Sequence, residues 1–149
     1  MDAKVVWNGK MSFTGSADTG FPVALDAAVT GGGENNGLRP MELLAIGLAG
    51  CTAMDVISIL KKKRQAVTAF EVRSHLERAA EDPKVFTHIV MEYVVTGCQV
   101  ERAAVERAVQ LSADRYCSAQ AMLAKTAVIE SKITIIEVEK PLVKITSHL

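Results

Sequence analysis

The sequence has no excess of charge: lysine plus arginine and aspartate plus glutamate number 17 each, so the formal net charge is zero. That removes the electrostatic footprint by which nucleic acids or anionic membrane surfaces are held. There is no charged-then-apolar leader, because Met1–Asp2–Ala3–Lys4 runs straight into a strand pattern, and no signal segment is expected. No apolar run is long enough for a bilayer: the longest, Leu43 to Cys51, is soon followed by Asp55 and Lys61–Arg64. Three cysteines is an odd count, which argues against a secreted disulfide framework. In a reducing compartment a thiol is core filler, a metal ligand or a reactive group. These absences together indicate a soluble, cytoplasmic protein.

Metal motifs are missing as well. The chain has no Cys-x-x-Cys and no His-x-x-x-His, and His75, His88 and His148 fall on strands or near the C-terminal end, so no zinc site is expected. The acidic residues show no isolated pair on an apolar face that would suit glycosidase-type acid/base work. A Cys–His hydrolase would need His75 or His88 to face Cys51 in space, which spacing alone does not decide. The glycine-rich stretch Thr30–Gly37 lacks the lysine and the strand-to-helix context of a phosphate-binding loop and reads as a flexible connector.

What is present suffices for a core. Hydrophobic residues make up 49% of the 149. A single domain, 1–149, of this length buries roughly 70% of the surface its unfolded chain would expose. Lys4–Trp7, Met11–Gly15 and Pro22–Ala27 read as short strands, the first two joined over Asn8–Gly9, a hairpin signal. Pro40 then opens a helical pattern that runs to Arg64, about 25 residues and nearly 37 Å at about 1.5 Å per residue. Up to Met54 it is apolar on nearly every face and should be buried all round. Gly47, Ala49 and Gly50 would let another helix approach closely. Lys61–Arg64 reads as a solvated last turn favoured by the helix dipole. Val67–Arg78 and Val85–Val95 alternate like strands. Val100–Tyr116 and Cys117–Lys125 read as helices, and Lys132–Glu139 and Leu142–Thr146 as closing strands. The order βββ–α–ββ–αα–β indicates an α+β fold.

Two cysteines stand out by context. Cys51 lies mid-helix among Ala49, Gly50, Thr52 and Ala53, whose small side chains leave its sulfur approachable. Cys117 lies between two helices, with Ser118 beside it and Arg115 two residues before. Helix amides and a guanidinium both favour a thiolate there. Cys98, after Gly97 in a strand-to-helix loop, reads as incidental. Spacing alone does not pair Cys51 with Cys117.

A family resemblance does. Pro40–Met41–Glu42–Leu43–Leu44, then Ala49–Gly50–Cys51–Thr52–Ala53–Met54–Asp55–Val56, then Ile59–Leu60–Lys61–Lys62–Lys63–Arg64 resemble the central helix of the OsmC/Ohr family (osmotically inducible protein C-like, organic hydroperoxide resistance). Ala113–Asp114–Arg115–Tyr116–Cys117–Ser118–Ala119 with Met122–Leu123 resembles that family's second cysteine segment. Asp55–Val56 and Phe86–Thr87–His88–Ile89 are similar to its YhfA-like branch. The resemblance covers essentially the whole chain in order. It implies an OsmC-like α+β fold with two central helices and antiparallel sheets, in an intertwined homodimer. It also implies a thiol-dependent peroxidase that reduces organic hydroperoxides, or hydrogen peroxide, in oxidative stress defence.

In that reading Cys51 is the peroxidatic cysteine and Cys117 the resolving one, joined as a disulfide after turnover. A thiol or dithiol, such as a lipoylated protein, restores them, and no metal or other cofactor is required. The chain departs from the family's peroxidases at one place. Where they carry a glutamate close after the proline this chain has Met41, and Glu42 follows about 100° further round the helix. No arginine precedes Arg39, so Arg39 or Arg115 is expected to supply the cation beside the thiolate. The alternative is a non-catalytic small-molecule-binding or structural stress protein using the same inter-subunit cavity.

Overall fold

The computed structural model describes residues 1–139. The expected strand Leu142–Thr146 and His148 lie outside the described residues. The chain forms two compact units, Met1–Ile46 and the remainder from Gly47.

In the first unit β1 (Ala3–Gly9), β2 (Ser12–Ala17) and β3 (Val23–Leu25) make an antiparallel sheet in that order. The Asn8–Gly9 signal is realised: Gly9 (φ 109°) and Lys10 (φ 47°) supply the left-handed turn that a tight hairpin requires. The glycine-rich connector is more ordered than its composition suggests. Asp26, buried, accepts hydrogen bonds from the backbone N–H groups of Ala27 (2.8 Å), Glu34 (2.9 Å) and Asn36 (3.0 Å). Those donors hold its carboxyl below the usual range and fold the segment around one carboxylate.

Helix α1 (Pro40–Lys62) begins as the sequence indicates, with proline in its first turn. Glu42 reaches back to accept from the backbone N–H of Arg39 at 2.9 Å, half of a capping box. The helix ends where Arg64 turns left-handed (φ 56°) and the N–H of Gln65 closes onto the carbonyl of Leu60 at 3.0 Å.

In the second unit β4 (Ala66–Arg78), β5 (Phe86–Cys98) and β6 (Val128–Glu137) form a sheet with β5 in the centre. β4 pairs antiparallel with β5, but β6 pairs parallel to it, so the expectation of purely antiparallel sheets is corrected. Between β5 and β6 the chain passes through α2 (Arg102–Leu111) and α3 (Ser118–Leu123), a helical crossover that returns it in the same direction. β6 starts at Val128, ahead of the expected Lys132, because its pairing with β5 begins there, opposite His88.

The core of this unit follows the two periodicities. Ile89, Met91, Tyr93 and Val95 of β5 are fully buried at every second position. Leu48, Thr52, Val56 and Leu60 of α1 are fully buried at every fourth, and α2 adds Ala104, Val105, Ala108 and Val109. Burying each of Leu48, Val56 and Leu60 stabilises by about 1.5–3 kcal/mol. All-round burial of α1 is not met within one chain: Leu44, Ile46 and Met54 are 50%, 54% and 74% exposed. By length and composition alone, with a mean hydropathy of 2.0 over 18 residues, α1 could also cross a membrane. Its buried stripe and a side-chain hydrogen bond to β5 make it the core helix of this unit.

Candidate active site

Cys51 and Asp55 are one turn apart on α1 and therefore share a face. Cys117 arrives by an irregular route. After α2 the residues Ser112–Tyr116 form a π-helical turn, in which the N–H of Cys117 bonds the carbonyl of Ser112 at 2.9 Å. Wide turns of this kind interrupt helices frequently at functional sites. The sequence suggests unbroken helix to Tyr116, and the π-helical turn corrects it. Cys117 then caps α3, its sulfur accepting from the N–H of Gln120 at 3.4 Å. The sulfurs of Cys51 and Cys117 and a carboxylate oxygen of Asp55 all lie within 4.8 Å of one another. Cys51 and Asp55 are half-buried, while Cys117 is buried.

Behind the carboxylate runs a buried chain of hydroxyls. Ser112 donates to Asp55 Oδ2 at 2.9 Å, which uses its only proton. Thr52, 2.9 Å from Ser112, must then donate to it. Tyr93, 2.9 Å from Thr52, must in turn donate to Thr52. The direction Tyr93→Thr52→Ser112→Asp55 follows from the proton count. All three hydroxyl-bearing residues are fully buried. Burial pushes the Tyr93 phenol up, partly offset by its hydrogen bonds to Thr52 and Ser131.

Cys117 corrects a sequence expectation. The Gln120 amide does favour a thiolate, but burial outweighs it and, with the hydrogen bond to Cys51, pushes Cys117 up to about 12. Arg115 is exposed to solvent and is not among the groups that influence this thiol. Cys117 is therefore a neutral thiol at physiological pH, a proton donor beside Cys51.

Glu42 is engaged at the start of α1. Arg39 donates to the carbonyl of Gly37 at 2.9 Å and to the side chain of Asn35. With Val5, Phe13, Leu25 and Pro40, Arg39 lines an apolar hollow of about 530 Å³ in the first unit. Cys98 ends β5 opposite Ala66 and is half-buried. His75 faces Glu92 at 3.4 Å, and His88 faces Glu77 at 3.7 Å and Glu130 at 3.4 Å. His88 alternates with the buried β5 residues, on the face away from Tyr93. A second hollow of about 250 Å³, lined by Asp55, Ser58, Ile59, Lys62, Leu111 and Tyr116, leads from solvent to the carboxylate.

Asp55 is the functional residue that sequence reasoning undersells, since in the sequence it is only a charge ending an apolar run and a mark of the branch. Its i,i+4 spacing from Cys51 in an otherwise apolar helix is the available signal. Thr52, Ser112 and Tyr93 carry none beyond a hydroxyl in apolar surroundings.

A half-buried cysteine, a buried one held as thiol, and a hydrogen-bonded carboxylate define a two-cysteine thiol site on an α+β scaffold. Residues 32–132 match the family described as OsmC-like protein. The chain is 42% identical over 125 residues to Protein YhfA of Escherichia coli strain K12, covering 84% of this chain and 90% of that one. A solved structure of a hypothetical protein from Aquifex aeolicus VF5 superposes with a TM-score of 0.81 at 30% identity, over 93% of this chain and 97% of the other. The likeness to an organic hydroperoxide resistance protein OsmC from Legionella pneumophila is one of fold, with a TM-score of 0.67 at 17% identity over 92% and 96% of the two chains. The chain belongs to the OsmC-like family.

Proposed function

We propose that this protein is a cysteine-based hydroperoxide reductase, and the convergence of Cys51, Cys117 and Asp55 within 4.8 Å is the observation that carries the reading. Of the two sulfurs Cys51 is the accessible one, while Cys117 keeps its proton. The Cys51 thiolate attacks one peroxide oxygen, the O–O bond breaks, and the leaving alkoxide takes a proton to depart as alcohol. Cys51 is now a sulfenic acid. Cys117 attacks that sulfur, water leaves and a disulfide forms. Two electrons from an external thiol or dithiol, a lipoylated protein being one such donor, restore the pair. The neutral Cys117 is the nearest proton source, and Asp55 is placed to take protons from the thiols. Organic hydroperoxides, to which the Legionella pneumophila relative is named as conferring resistance, are the substrate class we assign.

The working form is a homodimer acting in the cytoplasm, where free thiols persist. Leu44, Ile46 and Met54 leave exposed apolar side chains on more than one side of α1, which a second copy would cover. Such an interface buries well above about 2,000 Å² in total. A stable folded monomer at micromolar concentration in sedimentation would remove this part.

The test of the activity is peroxide consumption in the presence of a dithiol. Cys51→Ser should consume none. Cys117→Ser should form no intrachain disulfide: the first peroxide leaves Cys51 as a sulfenic acid, and a second carries it on to the sulfinic acid. Peptide mapping of oxidised parent protein should find Cys51 joined to Cys117 with Cys98 free. Undiminished consumption by Cys51→Ser would end the reading. The alternative, a non-catalytic binding protein, is favoured by the 530 Å³ apolar hollow. A co-purifying apolar molecule with no peroxide consumption would select it.

A further inference from the structure

We infer that the reduced Cys51–Asp55–Cys117 cluster is a binding site for a thiophilic divalent cation, zinc or its analogues. The inference concerns the residues of the proposed peroxidase but rests on their geometry, not on peroxide chemistry. Zinc–sulfur bonds of about 2.3 Å and zinc–oxygen bonds of about 2.0–2.2 Å place tetrahedral ligand atoms about 3.5–3.8 Å apart. The three atoms here are already within 4.8 Å, so side-chain rotations of about 1 Å close the set. Two sulfurs and one carboxylate select zinc, cadmium or cobalt over magnesium or calcium, which take oxygen alone.

A supporting shell is built in. Ser112 donates to Asp55 Oδ2, a contact that leaves carboxylate lone pairs for an ion, and Thr52 and Tyr93 hold Ser112 in turn. Outer partners of this kind orient metal-ligating carboxylates. On binding, each thiol releases its proton to solvent. The dication, two thiolates and one carboxylate then sum to a single negative charge, with Lys62 on the wall of the adjoining cleft. Three protein ligands leave a fourth position for water or a small thiol arriving through that cleft. The ion uses the Cys51 lone pair that attack on a peroxide requires, so the metal-bound and reactive states exclude each other. No sequence motif announces the site, because Cys51 and Asp55 are a helical turn apart and Cys117 comes from a distant element.

The experiment titrates the full-length reduced protein with Co²⁺ alone and follows thiolate-to-cobalt charge-transfer absorption, then displaces cobalt with Zn²⁺. One ion per chain is expected. Cys51→Ser and Cys117→Ser should each lose the charge-transfer band of the four-atom site, and Cys98→Ser should keep it. Asp55→Asn, whose amide oxygen can still accept from Ser112, should bind at least tenfold more weakly, with its fold checked by circular dichroism. Absence of the band at stoichiometric cobalt overturns the inference, as does an undiminished band in Cys51→Ser or unchanged affinity in Asp55→Asn. Cobalt binding without peroxide consumption would uphold this site and refute the peroxidase. Peroxide consumption without cobalt binding would do the reverse.

Discussion

Replacing Thr52 by valine keeps the shape of the side chain and deletes one hydroxyl in a fully buried position. The proton count makes Thr52 the acceptor from Tyr93 and the donor to Ser112, each at 2.9 Å. Valine removes the Thr52 acceptor from the Tyr93 O–H, which keeps Ser131 beside it, and leaves a Ser112 lone pair unfilled. A buried polar group that loses its partner costs about 1–3 kcal/mol, so two partial losses come to about 2–3 kcal/mol. For a chain of this size each kcal/mol lowers Tm by about 2–4 °C, which predicts a fall of about 4–12 °C by calorimetry. Urea unfolding of Thr52→Val, Ser112→Ala and the double variant should show a coupling of about 1 kcal/mol or more, as expected for members of one hydrogen-bond chain. Tyr93→Phe should cost less in the Thr52→Val background than in the parent. Stability of Thr52→Val within about 0.5 kcal/mol of the parent would refute the deduced chain and its direction.

Cys117 makes a prediction about alkali. Its folded thiol is raised to about 12 from an ordinary 9.0, so its contribution is intact below about pH 9. As pH climbs from about 9 to about 12 the unfolded chain sheds a proton the folded one keeps, and stability falls. Urea midpoints at about pH 7.5 and about pH 10.5 should show that decline in the parent and less of it in Cys117→Ala. Asp55→Asn should slow peroxide consumption by about tenfold or more, within the range of a lost proton-transfer group, while the fold persists. Arg115→Ala should leave the same assay within about twofold, since an exposed charge is screened by solvent. The side-chain oxygen of Gln120 is buried without a partner among the described residues. Gln120→Met should therefore stabilise by about 1 kcal/mol in urea titration.

Much of the fold is legible because its elements advertise their periods. The alternation of β5 and the proline-led start of α1 are visible in the residues, and the structure places both within a few positions of expectation. The parallel pairing of β6 is not visible, since strand direction depends on the crossover and not on the strand's own residues. The burial of α1 is misjudged for a related reason: apolar residues on every side say what avoids water, not which neighbour within the chain covers them. At the site, sequence context singles out Cys51 and Cys117, and the resemblance pairs them. Context assigns the thiolate-favouring surroundings to Cys117, because a helix start and an arginine are written in sequence while burial is not. The Tyr93–Thr52–Ser112–Asp55 chain joins three elements through single hydroxyls, and no local pattern encodes it.

The π-helical turn at Ser112–Tyr116 holds one residue more than the regular helix it interrupts. A wide turn absorbs that extra residue, so deleting one of the five would let α2 continue in ordinary register with Cys117 still on the same side of the axis. In a regular helix the same deletion would swing every later residue by about 100°. In genetic terms the turn is a one-codon allowance that keeps the second sulfur facing the first.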